Sequence, residues 1–441
     1  MNGLPLISSY RPQAPLLYAA QGPLSQARFL GQAAALARTL PEATYALNLC
    51  ESRQAFLLGF AAALLRGQTS LLPPNKTVDT VAAIRARYPD SYVLSDGVLE
   101  GALAEAVPVP LDPACEDWAD AAPAIPAGHI AAMPFTSGST GDPLPHAKTW
   151  GGMVTHAGLL SQRLGFKGAH LAATVPPQHT YGLETTVLAA LAGGAVSHCA
   201  RPFFPQDVAS VLEALPAPRL LITTPVHLNA LVQARQALPP LAGIVSATAP
   251  LSPQLAAAAE QLLGAPLHEI YGSTESGGIA TRRTTAGELW RPLPGGSLRE
   301  DEGGALVSGP HLAAPQRLAD IIETAADGRI RLLGRSGDLL KVAGKRMSLA
   351  ELNHRLLAIP GVEDGVVFLP EPADAAAIAN VTVIRPAALV VAPMLNEQQI
   401  LDLLRQSVDP VFLPRPLRLV ARLPRNELGK LPRAALLELM R

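Results

Sequence analysis

Four stretches of the chain carry residue types that chemistry could use. The run Phe135-Thr136-Ser137-Gly138-Ser139-Thr140-Gly141-Asp142-Pro143 follows a strand-like apolar segment, Ile130 to Phe135. Glycines let backbone N–H groups turn inward and the hydroxyls add donors, so this loop can cradle phosphate oxygens. It is not a Walker loop, because no Gly-Lys-Ser/Thr follows at the required spacing. Nor does it hold the Gly-x-Ser-x-Gly of a nucleophile elbow. Tyr271-Gly272-Ser273-Thr274-Glu275 follows a second apolar stretch, Leu267 to Ile270. There a tyrosine can stack on a purine, a hydroxyl can reach a phosphate and a carboxylate can hold Mg²⁺. Asp320 stands fifteen residues before Arg335, and a carboxylate accepting both ribose hydroxyls is a recurrent nucleotide device. Lys430 follows the turn-forming Gly429 in an Arg-rich chain end. Taken singly, each feature has a plain structural explanation as a loop or a solvated charge.

The elements that must position these residues alternate between helix and strand. Apolar spacing predicts helices over Ser25 to Leu40 and Gln54 to Leu65, with short strands such as Tyr92 to Leu94 between helical stretches. The Pro- and Ala-rich stretch from Pro108 to Pro126 reads as a loop. Ser252-Pro253 offers an N-cap and a proline at the first helical position, and Gly264 ends that helix. Ser348 and Glu351 form the sequence of a capping box. A boundary is expected at Gly334-Arg335-Ser336-Gly337-Asp338, where two glycines allow unusual backbone angles. Beyond it, strands at Val362 to Phe368 and Val381 to Ile384 and helices at Asn396 to Val408 and from Pro432 onward make a small α+β unit. The expected fold is α/β: a large, layered N-terminal domain of several subdomains (1–333) and a small, mobile α+β C-terminal domain (334–441).

Composition excludes several classes. Hydrophobic residues make up 49% and charged residues 16% of 441 residues, so a sizeable core can be buried. Thirty-five basic against 36 acidic residues argue against nucleic acid as a partner. The balance is uneven along the chain: residues 335–441 hold 14 basic and 11 acidic groups, leaving the remainder acidic. Cys50, Cys115 and Cys199 are too widely spaced for a zinc or redox pair and read as reduced thiols of a cytoplasmic protein. The apolar run Ala55 to Leu65 is too short to span a bilayer, and no signal peptide is visible.

In order and spacing together, Thr136 to Pro143, Tyr271 to Glu275, Asp320, Gly334-Arg335, Lys341 to Arg346 and Gly429-Lys430 resemble the successive core motifs of the adenylate-forming superfamily. That family includes acyl- and aryl-CoA synthetases, peptide-synthetase adenylation domains and luciferases. The resemblance implies an enzyme that activates a carboxylic acid with MgATP to an acyl-adenylate and passes the acyl group to a thiol. It implies that Thr136, Ser137, Gly138, Ser139, Thr140 and Gly141 hold the triphosphate. Tyr271 would pack on adenine with Gly272, Thr248 and Ala249 nearby, Thr274 would contact the α-phosphate, and Glu275 would bind Mg²⁺. Asp320 would take the ribose hydroxyls with Arg335 near the ribose and hinge. Lys430 would bridge the substrate carboxylate and the α-phosphate. The C-terminal domain would swing between half-reactions, the second presenting Gly344-Lys345-Arg346 to the thiol.

The chain departs from the family pattern at three places. Leu144 stands where a lysine often follows the loop proline, with Lys148 close by. Gly337 replaces the usual hinge residue. Ser246-Ala247-Thr248-Ala249-Pro250 contains no glycine where the adenine segment usually does. Pro176 to Gly182 resembles the segment lining the acyl pocket, with His179 at its gate and Tyr181 beside it, and His227 is a candidate for another wall. The acceptor implied is CoA or the phosphopantetheine arm of an acyl carrier protein. The compact chain also resembles ligases of aryl-polyene and xanthomonadin-type pigment pathways, which load aromatic acids such as hydroxybenzoates onto carrier proteins. The alternatives are a fatty acyl-CoA synthetase and a non-catalytic nucleotide-binding or regulatory homologue.

Overall fold

The structure is a computed structural model that describes residues 3–99, 105–137, 143–302, 304–335, 339–342, 345–370, 385–425 and 431–440. Gly138, Ser139, Thr140, Gly141, Gly337, Gly344 and Lys430 lie outside the described residues, as does the expected strand Val381 to Ile384.

Two large sheets organise the chain up to residue 292. One runs, in spatial order, through Pro143–Pro145, Ile130–Ser137, Thr69–Leu72, Tyr45–Asn48, Ser91–Ser95 and Val107–Pro108. The other has nine strands among the described residues, with Leu267–Ser273, Gly243–Ser246, Arg219–Thr223 and His170–Ala173 as consecutive parallel neighbours. Gly277–Arg283 returns antiparallel to Leu267–Ser273, making a hairpin whose tip is 274–276. Between the sheets lies a core built around Phe29, Phe56, Phe60, Trp150 and Leu183. The helix Arg53–Leu65 is buried along nearly its whole length, which explains its apolar character on all sides.

Arg53 opens that helix and is only 2% exposed. Its guanidinium donates to the carbonyls of Ala173, Val175, His198 and Ala200. One buried cation thus ties the helix to the ends of two strands. Burial pushes its pKa down to about 10, yet the four carbonyls use its planar fork well.

The punctuation seen in sequence has its structural counterpart. The helix Gln26–Ala37 starts on Ser25, whose Oγ accepts from the Arg28 N–H. Pro253–Leu263 starts on Ser252 and ends on Gly264 in the left-handed region. At Leu349–Leu357 only half of the capping box is drawn. Ser348 accepts from the Glu351 N–H at 3.0 Å, but the Glu351 carboxylate turns to Arg355 one helical turn on. The Pro108-to-Pro126 stretch is not all loop, because Ala124–Pro126 pairs with Gly3–Pro5. After residue 338, Asp364–Phe368, Ala387–Val391 and Leu417–Leu419 form a sheet covered by Leu349–Leu357, Glu397–Arg405 and Arg433–Met440. This smaller C-terminal part has its own apolar core.

Candidate active site

Consecutive parallel strands place their carboxyl ends side by side, and open α/β sheets bind ligands there. His179 and Tyr181 follow the strand ending at Ala173, and His227 follows Thr223. Thr248 and Ala249 follow Ser246, and Thr274 and Glu275 follow Ser273. Residues spread over nearly a hundred positions are therefore gathered along one sheet edge. Thr248 has φ 82°, a conformation that costs a threonine energy and is met mostly where function demands it. Tyr271 tilts against Trp290 with ring centroids 5.6 Å apart. Gly272 is required by packing, since a Cβ there would lie 2.1 Å from the Gly277 carbonyl oxygen. Asp320 and Arg335 are direct cross-strand partners in the hairpin of Asp320–Thr324 with Ile330–Arg335.

The other sheet contributes Thr136 and His146. Thr136 Oγ1 and His146 Nε2 are 2.9 Å apart, and His146 Nε2 is 3.6 Å from Glu275 Oε1. The end of the Ile130–Ser137 strand and the 274–276 tip thereby face each other. The Glu275 carboxyl titrates below the usual range: burial raises it, but hydrogen bonding with Ser273 and the charges of His146 and Lys148 outweigh that. Leu144 pairs across from Thr136 and stays 48% exposed. The Lys148 Nζ donates to the main-chain carbonyl of Glu275 at 2.5 Å.

Next to Glu275 lies a partly open cavity of about 100 Å³, bounded by Lys148, His156, Glu184, Glu275, His311 and Gln316 with Met153, Leu183 and Leu188. Glu184 sits in Leu183–Leu188, a π-helical turn, a form frequent at functional sites. It is buried, and burial pushes its pKa up to about 7 against the opposing pull of Lys148. His156 Nε2 is 2.8 Å from the Gly278 carbonyl, which can only accept, so that nitrogen carries the proton. Burial lowers the His156 pKa to about 4, leaving Nδ1 a bare acceptor 3.5 Å from Glu184 Oε1. A protonated Glu184 satisfies that axis.

Two residues expected at the acyl pocket have hydrogen-bond partners within the fold. Tyr181 is held by bonds from its hydroxyl to the carbonyls of Thr223 and Val245, at 3.1 and 2.9 Å. His227 is buried, with Nδ1 2.9 Å from Thr224 Oγ1 and its ring edge-on to Phe203. Neither lines the cavity beside Glu275. His179 is half-buried at the start of the turn Thr180–Gly182. Sequence reasoning missed His146, His156, Glu184 and His311, which stand alone in sequence with no local pattern to mark them. Among the described residues no helix is long and apolar enough to cross a membrane.

The sequence model of the AMP-binding enzyme family matches residues 36–302. The chain belongs to that family. Among curated relatives, a 4-coumarate–CoA ligase of Rhodobacter capsulatus is 34% identical over 235 residues, covering 52% of this chain and 58% of its own length. The match thus spans little more than half of that relative. A sulfoacetate–CoA ligase of Cupriavidus necator is 28% identical over 376 residues, covering 72% of this chain and 71% of its own. The fold matches the o-succinylbenzoate CoA synthetase of Bacillus subtilis, solved with its acyl-adenylate intermediate, at a TM-score of 0.82 and 19% identity over 99% of this chain and 98% of that one. It also matches an amide bond synthetase of Marinactinospora thermotolerans at 0.79 and 21% identity, over 96% of both chains. These solved structures share its mixed α/β architecture, with a large N-terminal domain and a smaller C-terminal part.

Proposed function

We propose that this protein is an acid–thiol ligase that uses ATP to activate a small carboxylic acid as its acyl-adenylate and then forms a thioester. The observation that carries the reading is the gathering of Thr248, Tyr271, Thr274 and Glu275 at adjacent strand ends, facing Thr136 and His146 across the two sheets. A carboxylate oxygen attacks the α-phosphorus, pyrophosphate leaves, and a thiol sulfur then displaces AMP from the acyl carbon. Thr136 and its loop hold the triphosphate, Tyr271 packs on adenine and Asp320 takes the ribose hydroxyls. The partly exposed, anionic Glu275 fits Mg²⁺, which takes one or two protein carboxylates and completes its shell with phosphate oxygens and water. When bound, the ion stabilises charge that builds on the phosphoryl oxygens. Lys430 adds a point charge between the two approaching anions. The division at 333/334 lets the C-terminal domain change orientation between the half-reactions, with the glycine-containing linker absorbing the change.

For the acid we infer an aromatic one of about one ring, such as a hydroxybenzoate. The cavity of about 100 Å³ is smaller than the ~150 Å³ apolar cavity known to admit benzene, so a ring would fill it only in part and extend through its open side; its part-polar walls suit a ring with a hydroxyl better than an alkyl chain. The acceptor is CoA or a carrier protein's phosphopantetheine. Incubating the protein with MgATP, hydroxybenzoates, and either CoA or a holo carrier protein tests this: an aryl thioester on one acceptor supports it. Turnover of fatty acids alone refutes the aromatic reading.

A further inference from the structure

The main chain just after Glu275 is gripped by four side chains that also wall the cavity beside it. Lys148 Nζ donates to the Glu275 carbonyl at 2.5 Å, and His311 Nε2 lies 3.2 Å from the Ser276 carbonyl. His156 Nε2 donates to the Gly278 carbonyl at 2.8 Å, and Glu184 Oε2 accepts from the Gly278 N–H at 3.2 Å. These residues come from a short strand, a loop, the helix Trp150–Leu164 and the π-turn Leu183–Leu188. The His156 and His311 rings stack at 4.7 Å, so the grip is one packed unit. Two glycines let it close. A Cβ on Gly277, whose φ is +71°, would lie 2.5 Å from Glu184 Oε1, and one on Gly278 would lie 2.9 Å from Ile270 Cγ2.

We propose that Lys148, Glu184, His156 and His311 are positioning residues that fix the 275–278 main chain and so hold the Glu275 carboxylate where Mg²⁺ and the phosphates of ATP meet it. The inference rests on the reading of Glu275 as the metal ligand. A hairpin tip followed by two glycines would otherwise sample many backbone states, and ordering it only on binding would weaken the metal contact. Buried polar groups bonded to main chain remove that freedom in advance.

The test is calorimetric titration with ATP, with and without Mg²⁺, reading the gain in ATP affinity that Mg²⁺ confers; no acid substrate is needed. Glu275→Gln should abolish most of that gain. Lys148→Met and Glu184→Leu, both verified as folded by circular dichroism, should cut it at least fivefold. Glu184→Gln keeps an acceptor for the Gly278 N–H and a donor for His156 Nδ1 and should stay within twofold of wild type. Should Glu184→Leu not fold, His311→Leu replaces it with the same expectation. An undiminished gain in Lys148→Met and in the second variant, with the gain lost in Glu275→Gln, overturns the positioning role alone. An undiminished gain in Glu275→Gln overturns the metal reading and this inference with it.

Discussion

The Glu184–His156 pair makes a quantitative prediction about pH. His156 has an ordinary pKa of 6.5, brought to about 4 by burial. At about 1.4 kcal/mol per pH unit, this contributes about 3 kcal/mol of stability that is present above pH 6.5 and lost as pH falls through 4, because the unfolded chain binds the proton more tightly. Glu184 moves the other way, from 4.5 to about 7, again by burial. Its contribution of about 3 kcal/mol is complete below pH 4.5 and lost as pH rises through 7. Between pH 4.5 and 6.5 the two slopes cancel, as expected when folding leaves one proton on the pair. Removing either partner exposes the other. In Glu184→Gln stability should rise with pH across this window, and in His156→Gln it should fall. Urea unfolding midpoints from pH 4.5 to 7, each variant read against wild type so that other groups cancel, provide the assay. Two variants with the pH dependence of wild type would refute the shared-proton reasoning.

Other predictions concern packing around the site. Arg53→Ala leaves four strand-end carbonyls without their donor and should cost roughly 3–5 kcal/mol, read as a lowered urea midpoint. Tyr181→Phe should lower stability by about 1–3 kcal/mol through the two carbonyls it strands, yet leave the KM for the acid within twofold. A large rise in that KM would return Tyr181 to the substrate wall. Gly277→Ala places a methyl 2.5 Å from Glu184 Oε1 at φ +71° and should cost at least ~2 kcal/mol, seen in the same unfolding assay together with loss of adenylation.

Local signals were legible in the sequence. Ser25, Ser252 and Gly264 mark helix ends because capping is chemistry within three or four residues. The apolar strands before the two candidate segments were legible, though each runs further than its apolar run, to Ser137 and to Ser273, and the structure sets Asp320 opposite Arg335 in one hairpin. What escaped is long-range. Glu351 satisfies the spacing of a capping box, but an arginine one turn later competes for its carboxylate. The carbonyls that hold the Tyr181 hydroxyl lie 42 and 64 residues away. Arg53 opens an apolar helix like any polar end, and only the fold brings it to strand ends 120 and more residues away. Lys148, His156, Glu184 and His311 meet because several elements converge on two glycines, which no window of sequence displays.

Acid-dependent exchange of labelled pyrophosphate into ATP, screened over aromatic and aliphatic acids, tests the central claim most directly. The account predicts exchange with at least one small aromatic acid, lost in Lys430→Ala while that variant keeps its fold. Absence of exchange with every acid, or exchange that survives Lys430→Ala undiminished, would contradict it.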